Sequence, residues 1–128
     1  MRILGITAVL LVISGCKTTP MNVCETYPGS YPANYTYIPD EIQPIVRIEP
    51  RYPKKAYEDG VTGFVKLSYS VMNGSVSNIQ IIESSPEGVF DKVSIAALQK
   101  WKYQDTFKDC VQYPKEYKLE TRLDFNRN

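Results

Sequence analysis

Three cysteines, Cys16, Cys24 and Cys110, carry most of the covalent chemistry open to this sequence, and no histidine accompanies them. Histidine is the usual general base near neutral pH and the commonest metal ligand, so its absence argues against hydrolase triads and zinc sites. Glu83 and Asp91 lie near the Ser84-Ser85 pair. No base, paired nucleophile or metal-ligating cluster joins them, so they do not make an active site. Cys24 and Cys110 lack the Cys-x-x-Cys spacing of a redox centre. The chain therefore reads as non-enzymatic, with no cofactor and no catalytic or structural metal. Two kinds of thiol chemistry remain. Cys16 closes an apolar run and can be acylated. Cys24 and Cys110 then form an even pair, suited to a disulfide in an oxidising compartment. Two separate thiols, or a bond between chains, are the other readings. An intramolecular bond would contribute on the order of 4 kcal/mol through lost chain entropy.

The N-terminus is an address. Residues 1–15 read as a signal peptide: Met1-Arg2 supplies positive charge and residues 3–13 are apolar. As a helix that run rises roughly 16 Å, about half the bilayer core, too short to span it. Its ending, Ile13-Ser14-Gly15-Cys16, resembles the lipobox of bacterial lipoproteins. There, small residues let the peptidase approach, and the lipidated cysteine becomes the new N-terminus. A plain secretory signal with an incidental cysteine is the alternative. Several acyl chains, at about 0.8 kcal/mol per buried methylene, anchor durably where one does not. Lys17 stands where an aspartate would favour inner-membrane retention in enterobacterial lipoproteins, so the resemblance favours the outer membrane. Net charge is +1, and zero once Arg2 is removed. That balance excludes nucleic acid as an electrostatically driven partner.

Residues 16–44 read as the lipidated cysteine followed by a linker. Prolines recur at Pro20, Pro28, Pro32, Pro39 and Pro44, with Tyr27, Tyr31, Tyr35 and Tyr37 between them. Apolar periodicity is missing, so an extended, partly polyproline-like path is expected. Fully extended, at about 3.1 Å per residue, it would reach roughly 90 Å. A Cys24–Cys110 bond would leave residues 17–23 free, a reach of about 20 Å. The tyrosines then pack along the surface as amphipathic plates; a peptide-recognition patch is the sharper alternative.

Residues 45–128 supply the domain that such an anchor would position. Its centre is a hairpin over residues 63–84. In the first arm Val65, Leu67, Tyr69 and Val71 alternate with Lys66, Ser68 and Ser70, the pattern of a half-buried strand. Asn73-Gly74 suits a tight turn with positive φ. The second arm carries Ile79 and Ile81 on one face, with a bulge expected near Val76. A short helix over residues 53–59 starts at Pro53, turns Ala56 inward and stops at Gly60. Residues 84–88 read as a turn with capping chemistry. A second helix is predicted over residues 89–102, with Phe90, Val93, Ala97 and Trp101 in one stripe. Trp101 reads as a core anchor rather than a binding residue. Residues 105–114 read as a loop. The last strand, residues 116–125, alternates most clearly: Tyr117, Leu119, Thr121, Leu123 and Phe125 against Glu116, Lys118, Glu120, Arg122 and Asp124. The expected fold is α+β: a two-layer sandwich of a three-stranded antiparallel sheet with two helices on one face.

Taken in order, these residues resemble the C-terminal domain of the TonB family. The resemblance rests on Tyr52-Pro53, Ala56, Gly63, the strand 64–71, Asn73-Gly74, Val76 with Ile79 and Ile81, Ser84-Ser85, and Trp101-Lys102-Tyr103. It covers residues 50–125. Asp105 stands where the family usually has proline. A lipoprotein signal replaces the family's spanning helix, and the long proline-rich spacer is not expected here. The resemblance implies a module facing the periplasm of a Gram-negative envelope. Its partners would be TonB-dependent outer-membrane transporters or other envelope proteins. Binding would be by strand addition along Glu116, Tyr117, Lys118, Leu119, Glu120, Thr121, Arg122 and Leu123, helped by the extended run before Tyr52. A sheet edge offers unpaired N–H and C=O groups in register, so backbone bonds give affinity with little demand on sequence. Self-association through that edge, giving a homodimer, is a variant. A structural envelope lipoprotein using the domain for scaffold contacts is the alternative function.

Overall fold

The computed structural model describes residues 19–128. The signal peptide expected over residues 1–15 and the lipidation site Cys16 lie outside the described residues. The elements run α1 (Val23–Thr26), β1 (Pro44–Val46), α2 (Lys54–Glu58), β2 (Gly63–Met72) and β3 (Ser75–Ser85). They continue with α3 (Asp91–Leu98), β4 (Lys102–Tyr103), β5 (Phe107–Lys108), β6 (Val111–Gln112) and β7 (Tyr117–Phe125). One antiparallel sheet has the order β1-β4-β3-β2-β7, and β5 with β6 forms a small ribbon. The fold class is α+β, but the main sheet has five strands where three were expected. The two extra strands are two and three residues long, too short for period-two alternation to mark them.

The hairpin forms where its pattern predicts. Val65, Leu67, Tyr69 and Val71 are all buried on one face of β2. Asn73 (φ 50°) and Gly74 (φ 69°) both adopt the left-handed region that a type I′ turn requires. Two irregularities interrupt β3. One sets two residues, Asn78 (φ 51°) and Ile79, against Tyr69 alone, two residues past the bulge expected near Val76. The other leaves Ile82 between the residues paired with Lys66 and Leu67.

Helical boundaries moved for identifiable reasons. Pro53 sits at the N-cap of α2 with an extended ψ of 129°, one position before the first turn. Ala56 is buried as expected, Tyr52 packs partly buried against the core, and Tyr57 is exposed. The helix predicted over residues 89–102 closes at Leu98. Lys100 and Trp101 bond back three residues, to Ala97 and Leu98, and tighten its end. The Tyr103 N–H then donates to the Gly74 carbonyl at 3.0 Å and draws the chain into the sheet as β4. Lys102 therefore lies in a strand, not at a helix end. Ser84 and Ser85 finish β3 rather than cap α3, whose N-cap position is Phe90.

The core lies on the inner face of β2 and β7, covered by α2, α3 and the aromatic residues around them. Phe90 stacks on Phe125 at 4.1 Å between ring centres, and Tyr52 meets both rings edge-on. Trp101 is buried, as a core anchor should be, and its indole N–H donates to the Ile48 carbonyl at 2.9 Å.

Residues 22–39 pack as a strap against β5 and β6. The Asn22 side chain accepts from the N–H groups of Cys24 and Glu25 and starts α1. Cys24 and Cys110 are disulfide-bonded, with Cα atoms 5.5 Å apart. Tyr37 and Phe107 exchange two backbone bonds, of 2.8 and 2.9 Å. Val23, Phe107 and Cys110 form a second, smaller core with Tyr31 and Tyr35 against it. The segment predicted as a loop over residues 105–114 is thus a ribbon, turned by Asp109 (φ 49°) and Cys110 (φ 69°).

Candidate partner-binding edge

β7 pairs with β2 through nine consecutive residue pairs, from Gly63 with Phe125 to Val71 with Tyr117, with no bulge. Its other side has no strand beside it among the described residues. An uninterrupted ladder keeps a strand straight, so the outward N–H and C=O groups of β7 keep the spacing that an added strand needs. The remaining open backbone differs. β3 pairs on its outer side only at Ser75, with Lys102 of β4, and its two irregularities break the spacing beyond. Bulges of that kind blunt edges against pairing. β1 is the opposite edge of the sheet. The extended run before Tyr52 therefore starts at the far edge of the sheet and corrects the expectation that it helps binding at the last strand.

The candidate residues divide by face as their alternation predicts. Tyr117 and Leu123 are buried, Leu119 and Thr121 half-buried. Lys118, Glu120, Arg122 and Asp124 are exposed on the outer face. Glu116 is exposed and precedes the strand. Arg122 donates through Nε to Asp124 at 2.9 Å and lies 3.8 Å from the centre of the Phe64 ring. Glu120 stands 3.8 Å from Lys66. Lys118 has no carboxylate within ion-pair distance among the described residues. Beside this row, Ser68 and Ser70 on β2 leave a shallow polar groove of about 480 Å³. Asn78 and Gln80 border it on one side, Lys118 and Glu120 on the other.

The end of β7 is fixed by the strap. The Tyr117 hydroxyl and Lys115 Nζ both donate to the Pro39 carbonyl, at 2.7 and 3.1 Å. The Cys24–Cys110 bond therefore ties the N-terminal segment close to one end of the open edge. Deeper in, the hydroxyls of Tyr69 and Tyr103 lie 2.8 Å apart. Burial pushes the Tyr103 phenol well above its ordinary range, and its bond to Tyr69 raises it further. Burial raises Tyr69 as well. The spacing of Tyr69 marked it for the core, but no local pattern gave its partner in β4.

Glu83 on β3 and Asp91 at the start of α3 border an open depression with Glu87. No group of three metal-ligating side chains occurs among the described residues. None of the described helices is long and apolar enough to cross a membrane.

An antiparallel sheet with helices over its inner face and a regular open edge at β7 defines a small α+β domain. Residues 48–126 match the family model described as "Gram-negative bacterial TonB protein C-terminal", and the chain belongs to that family. The family is not an enzymatic one. Protein TonB of Yersinia enterocolitica is 34% identical over 59 residues, covering 45% of this chain and 23% of that protein. Protein TonB of Pseudomonas aeruginosa is 32% identical over 65 residues, covering 50% and 19%. The Escherichia coli protein is 32% identical over 59 residues, covering 45% and 25%. The chain thus spans about a quarter of the length of these relatives. The solution structure of the Pseudomonas aeruginosa TonB C-terminal domain superposes with a TM-score of 0.58. It is 23% identical and covers 75% of this chain and 96% of that one, a likeness of fold.

Proposed function

We propose that this chain is a periplasm-facing TonB-like binding module carried on a lipoprotein. It engages TonB-dependent outer-membrane transporters, or related envelope proteins, by strand addition along β7. The observation that carries this reading is the nine-pair, bulge-free ladder that leaves the outer side of β7 open and evenly spaced. The domain assignment supports it, as does the order of the sequence: signal at residues 1–15, anchor at Cys16, domain over residues 45–128. The lipobox-like Ile13-Ser14-Gly15-Cys16 carries the lipid-anchor part, and Lys17 favours the outer membrane over the inner.

The test is a photo-reactive amino acid in place of Lys118 or Glu120, crosslinked in native envelopes. Adducts to outer-membrane transporters, lost when the transporter's N-terminal segment is deleted, are expected. Adducts confined to other envelope proteins would sink the transporter reading.

The disulfide favours a second reading. The structure shortens the expected leash: Met21 and Val23 already bond to Gln112 and Cys110, so residues 17–20 are left, a reach of about 12 Å from a lipid at Cys16. Such a leash holds the domain close to one membrane, as a structural envelope lipoprotein would require. Envelope leakage without an uptake defect on deletion would select this reading over the first.

A further inference from the structure

Exposed apolar side chains gather at one end of the molecule. Met21 just before the strap, Met72 at the end of β2, and Val111 and Tyr113 after the ribbon turn are all exposed. Their backbones lie side by side. The Gln112 N–H donates to the Met21 carbonyl at 2.8 Å, and Asn22 bridges to Val111. Asn73, next to Met72, shares a hollow with Thr19 and Gln112. Lys108 faces Val111 across the ribbon, and its ammonium lies 5.9 Å from the centre of the Tyr113 ring. We propose that this end is a membrane-contact surface. Met21, Met72, Val111 and Tyr113 enter the interfacial layer of the bilayer that holds the lipid on Cys16.

The occupant follows from where the chain leads. Residues 17–20 separate Cys16 from Met21, a reach of about 12 Å. Acyl chains on Cys16 would therefore enter the bilayer beside this end. The opposite end, with α2 and Gly63, is a strand length of about 30 Å from Met72. The residue types suit the interfacial layer. A methionine chain adapts to an irregular surface, and a tyrosine offers an apolar ring with a polar hydroxyl. Lys108 can lay its stem along the apolar surface and keep its ammonium among the phosphates. Asp109, exposed beside it, cancels its charge. The contact is thus apolar in character and should withstand salt, which screens electrostatic attraction. The apolar area is small, but an anchored domain meets the surface at high effective concentration, so little affinity is needed.

Seating this end on lipid sets the direction of the open edge. Tyr117, where β7 starts, borders the same cleft as Met72. The strand ends at Phe125, paired with Gly63 at the opposite end. β7 therefore rises away from the membrane instead of lying along it. The inference rests on the lipid anchor of the proposed function but does not depend on what β7 binds.

The test uses the full chain with its native lipid, reconstituted in vesicles of phosphatidylethanolamine and phosphatidylglycerol. A fluorophore is attached through Met72→Cys, through Tyr113→Cys or, at the opposite end, through Lys54→Cys. Nitroxide-bearing lipid should quench the first two labels and leave the third bright, and the quenching should persist in high salt. Met21→Glu with Val111→Glu should abolish it by forcing charge into the layer. All five sites are exposed, and equal protease resistance checks that the variants fold. Equal quenching at all three labels, none at Met72 and Tyr113, loss in high salt, or no effect of the two glutamates would each overturn the proposal. Flotation with the vesicles, lost in Cys16→Ser, reports the anchor separately. Flotation without quenching at Met72 and Tyr113 refutes this inference alone. Flotation that is absent, or unchanged by Cys16→Ser, refutes the anchor and this inference with it.

Discussion

Single residues carry costs and constraints that can be measured directly. Ser94 is fully buried, and its hydroxyl has no hydrogen-bond partner among the described residues. Removing an unpaired buried hydroxyl relieves a desolvation penalty, so Ser94→Ala should leave stability unchanged or raise it by about 1 kcal/mol in urea unfolding. Gly63 is the opposite case. A Cβ there would lie 1.9 Å from the Ser85 carbonyl oxygen. That contact is backbone and cannot rotate away, so Gly63→Ala should cost about 2 kcal/mol in the same experiment. The Tyr69–Tyr103 pair sets a pH dependence. Both phenols titrate higher in the fold than in the open chain, from burial first. A raised folded pKa means that the unfolded chain loses its proton first. The contribution of the pair is whole below about pH 10, the unfolded value, and is lost as pH rises toward the folded one. Alkaline unfolding followed by circular dichroism should show this loss, and Tyr69→Phe with Tyr103→Phe should shrink it. Spacing alone placed Tyr69 in the core. The hydroxyl that meets it arrives from 34 residues along the chain, beyond any local pattern.

Elements were legible in proportion to their length and regularity. β2 and β7 alternate over nine or more residues, and their inner faces could be read from residue types. α3 was overestimated because Trp101 continues an apolar stripe that the backbone does not follow. The stripe reports which residues face the core, and a strand entering beside Gly74 satisfies the same burial. The strap shows how far one covalent bond can order a segment without periodicity. Three buried residues, Val23, Phe107 and Cys110, make its small core, and one of them is a partner in that bond. Cys24→Ser should therefore lower stability by about 4.6 kcal/mol, the chain-entropy value for a loop closed over 86 residues. It should also expose residues 22–39 to limited proteolysis while β2, β3 and β7 stay protected. Equal cleavage of wild type and variant would show that the backbone bonds at Tyr35 and Tyr37 suffice.

At the scale of the molecule the question is where the open edge is held. The Tyr117 and Lys115 bonds to Pro39 bring the strap to one end of β7. A lipid on Cys16 would then fix that end near a membrane and leave the strand accessible along its length. Cys16→Ser should release the protein from the membrane fraction and abolish its labelling by radioactive palmitate. Retention in the membrane would mean that another segment anchors it.

The sequence by itself determined the α+β class, the faces of the long strands, the tight turn at Asn73-Gly74 and the pairing options of an even cysteine set. These follow from local sterics and from the period of side-chain burial, which a chain displays residue by residue. Tertiary structure alone decided the rest. It added β1 and β4, shortened α3, joined Tyr69 to Tyr103 and moved the run before Tyr52 to the far edge of the sheet. Each of those outcomes depends on contacts between residues far apart in the chain. Their free energy exists only once the intervening segments have closed, so no local window of sequence contains it.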